Sequence, residues 1–159
     1  MRDRILRTAR KIMAILVLAL PNASYAEDLL TVTVDEISEA LTFDDLLAMP
    51  QVKVITKNDY VDEKVEFSGP LLRDLLLSYN IGPEDVLTLR AINDFSVKIP
   101  ASDAFQYNVI LALFSNGQKM SIRDKGPIWL IYPMDDHEEL RDDRYNSRII
   151  WQLTSLTVE

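Results

Sequence analysis

Between Ser121 and Pro133 the chain sets a charged turn, Arg123-Asp124-Lys125, against Gly126-Pro127. It then runs through Ile128-Trp129-Leu130-Ile131-Tyr132 before Pro133 closes the run. Three charges beside a Gly-Pro break stay in water, whereas a short apolar run bounded by prolines suits a buried strand. Such a strand needs partners on both sides, and the rest of the chain supplies candidates. Leu29 to Val34 is rich in β-branched residues, and Val52, Val54 and Thr56 alternate with polar neighbours, as do Val65 and Phe67. Val86, Thr88 and Arg90 open a strand-rich half, Phe95 to Ile99 alternates up to Pro100, and Val109 to Phe114 is continuously apolar. Asn116-Gly117 predicts a two-residue hairpin leading into Gln118 to Ile122, and Leu153 to Val158 predicts a closing strand.

Two helices fit between these strands. Thr42 with Asp45 three residues on predicts a capped helix, carrying Phe43, Leu46 and Leu47 on one face and ended by Pro50. Pro70 is placed to open a second helix, Leu71 to Tyr79, with leucines at 71, 72, 75 and 76 forming an apolar stripe. There is no internal repeat, low-complexity run or linker. The pattern predicts one α+β domain, rich in mixed β-sheet, with two main helices.

The first 26 residues stand apart. Arg2, Arg4, Arg7, Arg10 and Lys11 precede nine apolar residues, Ile12 to Leu20, after which come Pro21 and Ser24-Tyr25-Ala26. This is the plan of a secretory signal peptide cut after Ala26, and an apolar run this short falls well below a ~30 Å hydrocarbon core. An uncleaved anchor is the alternative. The expectation is a signal peptide over 1–26, a single domain over 27–159, and a periplasmic protein with no membrane insertion after cleavage. The net charge of −8 becomes −12 once those five basic and one acidic residues are removed. A field of that sign disfavours nucleic acid and anionic membranes. With no cysteine in the chain, disulfides, thiolate metal sites and cysteine nucleophiles are excluded.

Four segments carry a family resemblance: Phe67-Ser68-Gly69-Pro70-Leu71-Leu72-Arg73-Asp74-Leu75-Leu76; Ala91-Ile92-Asn93-Asp94-Phe95 with Val97-Lys98-Ile99-Pro100; Ser121 to Pro133; and Ser147-Arg148-Ile149-Ile150-Trp151-Gln152-Leu153. In this order, over roughly residues 40–158, they resemble the sulfite-oxidase-type molybdopterin-binding domain, most of all its small exported single-domain members. The resemblance implies a sulfite-oxidase-like fold and a molybdopterin-dependent oxidoreductase. It also implies a molybdenum-ligating cysteine just beyond the strand Val52 to Ile55, where this chain has Thr56-Lys57-Asn58-Asp59. A lysine contacting the pterin phosphate is implied before the tryptophan, where this chain has Ile150. A threonine hydroxyl is not ionised near neutral pH and does not replace a soft thiolate. Nor does the leader hold a twin-arginine pair, as export of a folded, cofactor-loaded protein would call for.

Candidate site residues follow from charge and turn chemistry. Arg123, Lys125, Arg144 and Arg148 read as an anion cradle, because guanidinium groups bind phosphate or carboxylate in bidentate fashion, or as solvated charges paired locally. Asn93 and Asp94 read as donors into a pocket or as a local turn. Asp94 falls where the resemblance places a turn residue close to the cofactor, and Thr56 where it places the cysteine. Asp135, Asp136, His137, Glu138 and Glu139 read as oxygen ligands for a hard cation or as a solvated loop. Their spacing matches no calcium loop, and no metal site is expected. Trp129, Tyr132 and Trp151 read as core or as a stacking surface for a planar ligand. The resulting expectation is a non-redox binding module for a small anionic ligand or a protein partner, such as a periplasmic or membrane-sensor protein, with no cofactor. The alternative is a molybdopterin-dependent oxidoreductase with an unusual ligand set.

Overall fold

The computed structural model describes residues 27–158, so the expected signal peptide lies outside the described residues. The first strand, β1 (Asp28–Val34), turns through Asp35 and Glu36, both at positive φ, into β2 (Ile37–Thr42). The Thr42 Oγ1 accepts from the Asp45 amide at 3.2 Å while the Asp45 carboxylate accepts from the Thr42 amide at 2.8 Å, starting α1 (Phe43–Ala48) as expected. That reciprocal cap holds the Asp45 carboxyl below its ordinary range, because both Thr42 groups donate to the ionised form. Next come β3 (Gln51–Asn58) and β4 (Val61–Pro70). Pro70 still pairs with Gln51, so α2 (Leu72–Ser78) begins later than the proline suggested. Leu71, Leu72, Leu75 and Leu76 are all buried.

In β5 (Val86–Ala91) the buried side is Leu87, Leu89 and Ala91. A tight turn leads to β6 (Ser96–Pro100), then α3 (Ser102–Gln106), β7 (Ile110–Ala112), β8 (Phe114–Ser115) and β9 (Gln118–Lys119). Asn116 and Gly117, at φ 48° and 75°, make the expected hairpin between the last two. A 3-10 turn at Ile122–Asp124 and a cis Gly126-Pro127 bond precede β10 (Trp129–Ile131). A second 3-10 turn, α4 (Asp143–Asn146) and β11 (Leu153–Val158) complete the described chain. The α+β, β-rich character is as expected. The two expected helices are α1 and α2, whereas the short α3 and α4 lack an apolar stripe that sequence would reveal.

Three sheets result. The five-stranded sheet has the order β2-β1-β11-β5-β6, with β1 parallel to β11 and the other pairs antiparallel. The four-stranded sheet runs β3-β4-β8-β9, and β7 and β10 form a two-stranded sheet, with Ile110 also bridging to Leu71. Leu130 donates to the Ile150 carbonyl at 2.8 Å and Leu153 to the Ile128 carbonyl at 3.1 Å, which ties residues 149–153 along the strand beside the charged turn. Ile128 through Tyr132 is buried throughout, as is Val109 through Leu113. The Phe67 and Trp129 rings meet edge to face at 5.2 Å between these layers. No described helix is long and apolar enough to cross a membrane.

Candidate functional site

Three connections line one cleft. The β5–β6 turn is fixed locally: the Asn93 Oδ1 accepts from the Phe95 amide at 3.2 Å, Asp94 sits at φ 66°, and the Ala91 amide donates to the Phe95 carbonyl at 2.8 Å. Asn93 thus orients its own turn, as an Asx residue does, and leaves Phe95 half exposed. The β3–β4 turn contributes Tyr60, whose ring meets Trp151 edge to face at 4.8 Å. With Ser147 and Ile150, these residues line a cleft of about 380 Å³. Its walls are aromatic and aliphatic, with Asn93, Ser147 and the Tyr60 hydroxyl among the polar groups of the lining residues. Lys125 packs behind: its Nζ donates to the Tyr60 carbonyl at 3.4 Å and lies 5.0 Å from the Trp129 ring centre.

Thr56 is not at the surface of this cleft. It has no exposed area, its Oγ1 donates to the Lys57 carbonyl at 3.1 Å, and the same oxygen accepts from the Asp135 amide at 3.2 Å. The side chain fastens the end of β3 to the Asp135 loop, and both hydrogen-bonding capacities are in use.

The basic candidates do not form one cradle. Arg148 turns inward to Asp103, which is 3% exposed and also accepts from the Tyr132 hydroxyl at 2.8 Å. Arg144 lies 3.7 Å from Asp142, and the guanidinium carbons of Arg144 and Arg148 stand 4.9 and 4.8 Å from the Tyr145 ring centre. Arg123 is exposed on its 3-10 turn. Among the described residues no hydrogen bond, ion pair or ring contact joins Arg123 or Lys125 to the other two. Asp94 is 3.3 Å from Arg90 at the surface. Burial, reinforced by the neighbouring Asp103 carboxylate, pushes the Tyr132 phenol well above its usual range. A hydrogen bond with Tyr145 and then desolvation carry Tyr107 to about 12.

The acidic run divides. Asp135 points inward, with its side chain 9% exposed, whereas Asp136, Glu138 and Glu139 stay at the surface. His137 packs against the Tyr107 ring with centres 5.0 Å apart. Among the described residues no group of three or more His, Cys, Asp or Glu side chains is placed to hold a metal ion. Sequence reasoning missed Tyr60, Phe95 and Ser147 as cleft residues. The only local signal was an aromatic directly after an Asx turn.

No family model matches the chain, and no curated protein matches it. Among solved structures it is similar to the crystal structure of the sulfane dehydrogenase SoxCD from Paracoccus pantotrophus, with a TM-score of 0.58 and 18% identity. The match covers 81% of this chain and 37% of that one, so the chain spans well under half the length of its neighbour. At that identity the likeness shows a shared β-rich α+β fold.

Proposed function

We propose that this chain is a non-redox binding module on a sulfite-oxidase-like scaffold, exported and released after Ala26. Its ligand site is the cleft between Tyr60, Phe95 and Trp151, and its ligand is a small molecule with a planar apolar face. The carrying observation is the cleft itself: about 380 Å³, with aromatic walls and a few polar groups, falls in the range of small-molecule sites. Asn93 and Ile150, which line it, belong to segments where the family resemblance places cofactor contacts. An aromatic ligand would stack on Trp151 and Tyr60, and its polar edge would meet Asn93 or Ser147.

The residues present do not fit a molybdenum cofactor. The position implied for the thiolate falls at Thr56, whose hydroxyl is buried and engaged on both sides. The position implied for a phosphate-binding lysine is Ile150, buried and uncharged. A chain without cysteine has no thiolate to offer the metal. A protein partner inserting an aromatic side chain is a second reading, supported by Ile92 and Phe95, which are 54% and 51% exposed at the β5–β6 turn.

Protein isolated from cells competent in cofactor synthesis is expected to carry no stoichiometric molybdenum, with a mature N-terminus at Glu27. Titration with adenosine, lumazine and riboflavin is expected to quench tryptophan fluorescence for at least one of the three, and Phe95→Ser to weaken that binding about tenfold. About one molybdenum per chain would overturn the non-redox reading. A flat titration with all three would remove the planar ligand.

A further inference from the structure

Several large apolar side chains left in water gather at one end of the five-stranded sheet. Ile92, Phe95 and Ile122 are each more than half exposed, and Tyr60 is 38% exposed. The Ile92 amide donates to the Gln152 carbonyl at 3.0 Å, and Gln152 Nε2 donates to the Ile122 carbonyl at 2.7 Å, so both isoleucines flank the entry to β11. Phe95 and Tyr60 line the aromatic cleft beside them, together with Trp151. Apolar groups clustered in this way mark a surface that something covers, whereas the same groups scattered singly do not. The described chain also begins at this end. β1 runs parallel to β11 with Thr31 opposite Ser155, and carrying that register back three residues brings Asp28 level with Gln152. β11 lies between β1 and β5. The start of β1 is therefore two strand spacings, roughly 10 Å, from Ala91, where the Ile92–Phe95 turn leaves β5.

We propose that, in the uncleaved chain, the leader's apolar run Ile12 to Leu20 docks on the surface made by Ile92, Phe95, Ile122 and Tyr60, so that the cleft opens when the leader is cut after Ala26. Three observations select this occupant. Residues 21–27 span ~23 Å when extended, which exceeds the separation between the start of β1 and the patch. The run is apolar without interruption, so it loses its water against aromatic and aliphatic side chains. The five basic residues ahead of it lie in the field of a domain whose net charge is −12. A short tether raises the effective concentration of the run to the millimolar range, so a weak contact suffices to hold it. A second copy of the domain brings the same negative charge and is repelled, as is an anionic membrane. The opening step rests on the cleft being a small-molecule site, as proposed above, and the docking does not.

A chain with no cysteine of its own makes the test direct. In the full-length chain, Leu16→Cys is combined either with Ile92→Cys or with Ile37→Cys. Ile37 is 76% exposed at the far end of the same sheet, where β1 turns into β2. Residue 16 reaches ~40 Å from Asp28 when extended, so both positions are within its range and only docking favours one of them. With a short bismaleimide in dilute, detergent-free buffer, the link within one chain to position 92 is expected to form about tenfold faster than the link to position 37. Cutting the unsubstituted chain after Ala26 is expected to move its tryptophan emission to longer wavelength, as Trp151 regains contact with water. Equal or reversed rates, or an emission unchanged by cutting, would overturn the proposal. A product linking two chains, growing with concentration at the expense of the internal link, would assign the surface to a second copy instead. Neither readout uses a ligand. A cut chain that binds none of the planar molecules therefore removes the small-molecule site alone, and a planar molecule bound equally before and after cutting removes the docking alone.

Discussion

Asp103 receives two donors from far along the chain, the Tyr132 hydroxyl and the Arg148 guanidinium, 29 and 45 residues on. The Tyr132 phenol, buried against that carboxylate, holds its proton well beyond the ordinary tyrosine range. An unfolded tyrosine ionises at about pH 10, so above that pH the native state binds one more proton than the unfolded state and stability falls as pH rises. The contribution is fully present below about pH 10 and disappears above it, at up to about 1.4 kcal/mol per pH unit. Tyr132→Phe is expected to cost about 1.5–3 kcal/mol at neutral pH, through the lost bond to a charged acceptor. Its urea-unfolding free energy should then fall less steeply than the wild type between pH 10 and 11, by about half a proton at the lower pH and nearly one at the upper. Parallel slopes would show that Tyr132 ionises normally. Arg148 illustrates why site residues were only partly legible: a guanidinium reads as an arm of an anion cradle until Asp103, 45 residues away, is found opposite it. Thr56 likewise was legible as a strand residue, but the Asp135 amide it binds is 79 residues away.

At the scale of elements, two glycines are demanded for different reasons and should respond differently to the same change. Gly69 lies in β4 where β7 crosses it, and an added Cβ would run into the Leu111 carbonyl and stand 2.9 Å from the Ala112 Cα. Backbone cannot swing aside as a side chain can, so Gly69→Ala is expected to cost about 3 kcal/mol or more. Gly117 has open space where its Cβ would go but sits at φ 75°, so Gly117→Ala should cost only about 1 kcal/mol of backbone strain. Urea midpoints of the two variants give the ordering directly, and equal losses would mean that the β4–β7 approach relaxes. The hairpin glycine was legible because Asn-Gly turn chemistry is local. The Gly69 role was not, since it depends on a strand over 40 positions later. β2 escaped notice for a simpler reason: Ile37 to Ala40 are all exposed, so no buried alternation marks the strand.

Across the whole molecule, the strands nearest the two ends of the described chain lie side by side and parallel, Thr31 opposite Ser155 and Val32 opposite Leu156. Local pattern identified both as strands yet gave no hint of their pairing, because parallel neighbours need no turn between them. The cleft was illegible for a related reason: Tyr60, Asn93 and Trp151 reach it on connections between different sheets and strands. The topology makes folding depend on the last segment. β11 separates β1 from β5 inside the five-stranded sheet, and Leu153 and Leu156 are fully buried. Ending the chain at Gln152 would leave β1 and β5 with open inner edges and expose the apolar face beneath them, with no strand able to fill the gap. Deletion of residues 153–159 is therefore expected to abolish cooperative thermal unfolding and give rapid proteolysis. Adding a peptide of residues 150–159 should restore protection, because the missing strand meets a ready partner on each side. A truncated chain that melts cooperatively by itself would mean that the two halves of the sheet are stable without the strand between them.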